Sequence, residues 1–473
     1  KKYWVKIDQT KSLIKNCLMD IKKINEIDQW IIGNYWINSE IEELNEKLSI
    51  DIGSRWATSE NEREAANYIM SHWEDNDLKS FQENFNIKTY KFNHCSIEVD
   101  GTKIDSKPHH RCPSTKLNNQ LIDLGYGTKR EADDSKGNIK DKVAIIFRKH
   151  EPFTEQETIS KRVEYIAKKG AAAIIIGDPK IGRRMEYSSV WDTRDPDSIN
   201  PPLPIINTSH EHLLLLKKYA ILALKAKIEV QTDFYEATTS NVITEIPGSI
   251  EDEFIVMCGH HDTVFDTPGG NDNTSGAISV IETAKSIKRT FDKFNITPKI
   301  GIRFVTLSAE EQRLQGSFYH VNNNYKKLKP RFVLNCDELS TGNLKGIVLG
   351  FPHLRNFLQS QIDSLNENLK IHVMSQLDGH SDHFPFLEAG IDASHPWRWR
   401  YHGRYPTCEY HHEEPDTFDK LIVKDLKYYV TSFTRLFTRL CMTDPKDWPK
   451  NNLTKKMIRS RLDIEKEHEI RTS

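Results

Sequence analysis

Three apolar runs of strand length constrain this chain most: Phe254–Gly259, Ile300–Leu307 and Phe332–Cys336. They are continuous rather than alternating, so both faces of each strand need cover, the pattern of a mostly parallel sheet. The segments between them are long enough for crossover helices. From Thr274 to Lys288, Ala277, Ile281 and Ala284 share one helical face. The expected fold class is therefore α/β: a three-layer α/β/α domain around a mostly parallel mixed sheet.

Upstream, residues 1–50 read as amphipathic helix and Asp51–Arg55 as a loop. A helix is expected from Ser59 to Asp75, with Ala65, Ala66, Ile69, Met70 and Trp73 on its apolar face. Ser59 is its cap, and Glu62 would complete a capping box. Short alternating strands are expected over residues 81–122. The texture then changes. Val143–Phe147 and Ala171–Ile176 read as buried strands, Thr158–Lys169 and Leu213–Lys217 as helices, with a proline-rich stretch at Asn200–Pro204. Residues 115–235 thus read as a smaller α+β module of their own, between segments 1–114 and 236–445, with a charged tail at 446–473.

Lys plus Arg number 66 and Asp plus Glu 68, which gives no electrostatic case for nucleic acid or an anionic membrane. No stretch reaches the roughly 18 apolar residues of a membrane span. Seven scattered cysteines with no CxxC spacing do not make a disulfide framework. Together with a start that lacks the apolar core of a signal peptide, they favour a cytoplasmic setting, secretion being the alternative. No feature supports a homo-oligomer, and none forbids one.

Each strand run ends in a metal-type side chain. The first leads to His260-His261-Asp262, the second to Glu310-Glu311, the third to Asp337. Ligands of open α/β sheets gather at the carboxyl ends of strands. A glycine-rich loop adds Asp272, just before a helix start, and His411-His412 stand before another. Zinc takes such N and O ligands, and two metals need a shared carboxylate. Neighbouring Glu310 and Glu311 point apart, so one can bind metal while the other acts as general base. Asp262, two residues from His260, lies on the same side of an extended segment and can orient its ring.

These segments resemble the zinc aminopeptidase family that includes aminopeptidase S, aminopeptidase Y and glutamate carboxypeptidase II. His260-His261-Asp262 matches its His-x-Asp, and Asn271–Gly276 its Asn/Asp-Asp-Asn-x-Ser-Gly. Glu310–Ser317 matches Glu-Glu-x-x-Leu-x-Gly-Ser, Ser381–Phe386 matches Ser-Asp-His-x-x-Phe, and His412–Thr417 matches His-x-x-x-Asp-Thr. The resemblance implies two Zn²⁺, with Co²⁺ or Mn²⁺ as substitutes: His260 and Asp337 on one, Glu311 and His412 on the other, and Asp272 bridging. It also implies a metal-bridging hydroxide as nucleophile, Glu310 as base, Asp262 behind His260, and a protease-associated domain at 115–235. The implied activity is release of N-terminal residues from peptides.

Two departures stand out. Arg313 occupies a position where the family usually has Gly. His411 replaces the Tyr that often steadies the oxyanion, leaving His411 or Tyr410 for that role. The spacing to Asp416 favours His412 over His411 as ligand. His380 and His383 are assigned to a pocket wall. Arg398, Arg400 and Arg404 lie between two site segments and can pair with a substrate carboxylate, which would favour a carboxypeptidase or dipeptidase of the same family. A glutaminyl cyclase or a non-catalytic receptor fits less well, because the bridging motif is present and no ligand is missing.

Overall fold

The computed structural model describes residues 22–135, 138–155, 157–187, 200–340, 342, 344–374, 377, 379–397 and 410–461. Its strands join one mixed sheet of fourteen. In the main domain the order is Lys370–Val373, Gly346–Leu349, Ala393–Pro396, Val333–Asn335, Phe254–His260, Gly301–Leu307 and Lys225–Ile246. Strand Phe254–His260 pairs in parallel with both Val333–Asn335 and Gly301–Leu307.

Side-chain alternation along a strand sends successive residues to opposite faces. Ile255 and Met257 enter one core, whereas Val256 and Cys258 enter another. Ile302 and Phe304 divide from Val305 and Leu307 in the same way. Helices Glu60–Glu74, Gly276–Phe294 and Val423–Met442 cover the first face. Helices Gln315–Asn324 and His383–Glu388 cover the second. The three-layer expectation holds. None of the described helices is long and apolar enough to cross a membrane.

The expected short strands of 81–122 include a single strand of twenty residues, Ser80–Val99. It pairs antiparallel with Lys225–Ile246 from Ser80↔Thr244 to Val99↔Ala226, with one irregularity between Phe92 and His94. A partner more than a hundred residues away makes this strand continuous, which no local pattern reveals. The ribbon joins two cores: Val242 and Ile246 lie in the first, and Ala226, Ile228 and Val230 in the second.

That second unit holds parallel strands Thr115–Asp123, Val143–Phe147, Ala173–Gly177 and Ile205–Thr208. Helices Ile159–Lys168 and His210–Ile221 pack against them.

Ser59 caps its helix by accepting from Glu62 N–H. Glu62 does not close the expected box. Its carboxylate is buried and accepts from Thr58 N–H (3.2 Å), Thr239 Oγ1 (2.8 Å) and Ser308 Oγ (2.9 Å), and lies 3.2 Å from His261 Nε2. His261 thus points into the protein.

Candidate metal centre

Three adjacent parallel strands end at one edge, where His260 pairs with Leu307 and Cys258 with Asn335. The loops beyond them bring the predicted residues together. His260 Nε2 lies 3.5 Å from Asp272 Oδ1, 3.6 Å from Asp337 Oδ1 and 3.8 Å from Glu310 Oε2. His412 Nε2 lies 3.1 Å from Glu311 Oε2 and 3.3 Å from Asp272 Oδ2. Asp272 therefore turns one oxygen to each histidine.

The outer ring nitrogens are tied down. His260 Nδ1 donates to the Asp262 carbonyl at 3.1 Å, with Asp262 Oδ1 further off at 3.5 Å. His412 Nδ1 donates to the Tyr187 carbonyl at 3.0 Å. Both Nε2 atoms are left facing the carboxylates, the arrangement found around metal-binding imidazoles. The Asp262 carboxylate also accepts from the backbone N–H of Glu310 (3.2 Å) and Glu311 (3.3 Å), which sets the turn that parts these side chains.

Burial pushes the carboxyls of Glu310 and Glu311 up, and the charges of neighbouring carboxylates add to this. Burial alone would lower His260 and His412. The surrounding carboxylates, led by Glu310 and Glu311 respectively, drive both well above the usual imidazole range. Burial would raise Asp272 too, but hydrogen bonds from three histidines hold it well below. Four carboxyl groups, those of Asp272, Glu310, Glu311 and Asp337, thus crowd two histidines. Glu311 Oε1 is buried without a hydrogen-bond partner among the described residues. A buried uncompensated carboxylate is costly, and a bound cation removes that cost, so these residues fit metal ions. Two overlapping donor groups, His260/Glu310/Asp337 and His260/Asp272/Glu311, are compact enough for an ion, as is Asp272/His411/His412. A separate group, Glu40/His72/Glu282, already holds a cation: Lys285 Nζ lies 3.0 Å from Glu40 and also pairs with Glu282.

His411 stacks on His412 with centroids 3.7 Å apart, and its Nδ1 lies 3.0 Å from both Asp272 Oδ2 and Glu338 Oε1. Tyr410 sits elsewhere, its ring under Arg184 at 4.5 Å and Lys420 at 4.8 Å. Arg313 adopts φ 78°, the left-handed region that favours glycine. Arg398, Arg400 and Arg404 lie outside the described residues.

Sequence reasoning missed the scaffold behind the donors. Asp416 accepts from Asn271 N–H (2.8 Å) and Asp272 N–H (2.9 Å), fixing the loop that carries Asp272. Ser381 Oγ donates to Asp337 Oδ2 at 2.6 Å and accepts from Asn335. Asn271, Asn273 and Ser275 accept from the backbone of Ser340, Glu338 and Leu339. Arg55 is buried and donates to Leu48, Gly53, His261 and Pro268 carbonyls and to Thr274 Oγ1. Burial lowers its guanidinium to about 10, against the pull of Asp262, Asp416 and Asp272. Asp416 and Ser381 fall inside the matched motifs, so spacing did flag them; Arg55 carried no such signal.

With these donors converging on two histidines, similarity to known proteins becomes decisive. Residues 241–430, which hold His260, Asp272, Glu310, Glu311, Asp337 and His412, match the profile described as Peptidase family M28. This stretch is similar to the M28 peptidases. Probable leucine aminopeptidase 2 of Aspergillus fumigatus is 28% identical over 310 residues, 63% of this chain and 59% of that protein. Aminopeptidase YwaD of Bacillus subtilis is 30% identical over 284 residues, 58% of this chain and 56% of its own. The chain thus spans less than three fifths of the length of these curated relatives. Among solved structures, BSAP, a zinc aminopeptidase from Bacillus subtilis, superposes with TM-score 0.70 at 21% identity, covering 88% of this chain and 98% of that one. A peptidase M28 precursor from Shewanella amazonensis gives 0.73 at 18%, covering 92% and 99%. These two show that the stretch and its companion unit share the fold of those structures.

Proposed function

We propose that this M28 chain is a zinc aminopeptidase that uses two ions to remove N-terminal residues from peptides. One observation carries the reading: Asp272 turns Oδ1 to His260 and Oδ2 to His412, with Asp337 beside the first histidine and Glu311 beside the second. That donor set suits two ions sharing one carboxylate, with His260 and Asp337 on one, Glu311 and His412 on the other. Cobalt or manganese can occupy the same ligands. The named activities of the M28 relatives, leucine aminopeptidase and aminopeptidase, support a free amino terminus as the recognised group.

Bound ions would polarise the scissile carbonyl and acidify the attacking water. Glu310 takes the proton from that water and passes it to the leaving amine. Its side chain keeps 10% exposure, against 3% for Glu311, so Glu310 faces the cleft while Glu311 is committed to His412. His411, beside Asp272, is the nearer candidate to steady the oxyanion; Tyr410 is occupied by two cations. With this reading go a protease-associated role for residues 115–235 and a cytoplasmic setting.

The test is Glu310→Gln. Metal content should stay at the wild-type value while kcat falls by roughly 10²–10⁴-fold, the span of general acid–base catalysis. Retained turnover would remove Glu310 from the mechanism.

A further inference from the structure

The second unit hydrogen-bonds to the site at His412. His412 has φ 55°, the left-handed region that a β-carbon disfavours. Its backbone carbonyl accepts from Tyr187 N–H at 2.8 Å, and its ring Nδ1 donates to the Tyr187 carbonyl at 3.0 Å. This reciprocal pair fixes both the strained backbone and the ring plane. The next residue, Glu413, is 1% exposed, and both of its carboxylate oxygens are engaged: one by Lys180 Nζ, the other by Arg184 Nε at 2.6 Å. Segment 178–187 is anchored to the second unit in turn. Asp178 accepts from the backbone of Lys180 (2.8 Å) and Glu186 (2.9 Å), and Asn207, on strand Ile205–Thr208, donates to the Glu186 carbonyl at 2.7 Å.

His260 is held differently. It ends a central strand of the M28 domain, and its Nδ1 partner is the Asp262 carbonyl, two residues away. The two histidines therefore depend on different parts of the chain.

We propose that the second unit is a working part of the metal centre: the Tyr187 main chain and the Lys180–Glu413–Arg184 ion pairs position His412 as a ligand. Lys180, Arg184 and Glu413 are positioning residues, since they act through the backbone that carries His412. The inference rests on the two-ion reading above. It adds that the ion held by His412 and Glu311 is tuned from outside the M28 domain, while the ion held by His260 and Asp337 is not.

The experiment is zinc titration of the metal-stripped full chain against a competing chelator, with wild type, Glu413→Gln, Arg184→Met, Arg184→Lys and Glu414→Gln. Outer partners of metal-binding histidines commonly govern about 10–100-fold in affinity. Glu413→Gln should weaken one of the two ions by that factor and leave the other within about twofold. Arg184→Met, which keeps the Lys180 pair, should weaken the same ion by less, and Arg184→Lys should restore part of the loss. Glu414→Gln is the control: it is 59% exposed and meets Lys107 at 3.3 Å across the same interface, so both affinities should hold. Two tight ions in wild type with unchanged affinities in Glu413→Gln and Arg184→Met would overturn the inference. Equal weakening of both ions, or the same loss in Glu414→Gln, would reduce the contact to general support and overturn it too. Fewer than two ions in wild type would instead overturn the two-ion reading beneath it.

Discussion

Replacing Asp416 with Ala removes the acceptor for two buried backbone N–H groups, those of Asn271 and Asp272 at 2.8 and 2.9 Å. An orphaned buried donor costs roughly 1–3 kcal/mol, so two cost about 2–6 kcal/mol. Part of this is offset. Burial holds the Asp416 carboxyl well above its usual range, only partly countered by those same two N–H bonds, so its charge is itself unfavourable there. A net loss of roughly 2–4 kcal/mol is expected. The functional loss should be larger than stability alone conveys. Asp272 sits 3.5 and 3.3 Å from the two histidines, and a displacement of about 1 Å at such a centre can cost about 10²-fold in rate. Asp416→Asn keeps one acceptor and should lose about half as much stability. Urea melts and steady-state kinetics on amino-acid amides measure both. A variant Asp416→Ala with wild-type melting and wild-type kcat/KM would refute the claim that this carboxylate sets the loop that carries Asp272.

Two further outcomes follow from other parts of the molecule. A β-carbon on Gly270 would lie 2.0 Å from the Thr417 carbonyl oxygen, so Gly270→Ala should push the two loops apart, cost about 1–3 kcal/mol and reduce activity; Gly33→Ala, with nothing within 4 Å, should be neutral or stabilising, and equal melting of the two variants would contradict this. Burial would raise the Glu83 carboxyl, but His320, Asn241 and Asn324 hold it at about 2, below its ordinary 4.5. A depressed carboxylate stabilises above its unfolded value and loses that effect as pH falls towards the folded one. After a discount for solvent screening, about 2 kcal/mol should fade between pH 4.5 and 2. Acid melts of wild type and Glu83→Gln should converge across that window, and a constant gap would contradict the assignment.

Three of the residues that converge, His260, Glu310 and Asp337, were legible because each follows an apolar run whose continuity marks a buried parallel strand, whereas Asp272 and His412 stand in loops and were read from motif spacing. The parts that were not legible depend on distant partners. Glu62 stands at the right spacing for a capping box, yet its carboxylate is drawn to Thr239, Ser308 and His261, which no local pattern contains. Arg55 is a single charge in a loop until residues 48, 53, 261, 268 and 274 converge on it. Strand Ser80–Val99 is too polar to be read as one element without its partner Lys225–Ile246. The Tyr187 contact uses main-chain atoms, so its residue type carries no message at all.

The central claim is two ions serving a free amino terminus. Metal analysis of the purified chain, paired with hydrolysis of amino-acid amides and N-blocked dipeptides before and after chelation, tests it directly. The account predicts two metals per chain, release only from free-amine substrates, loss of turnover on chelation and its return with zinc. Turnover that survives metal removal, a single metal at full activity, or hydrolysis confined to blocked substrates would contradict it.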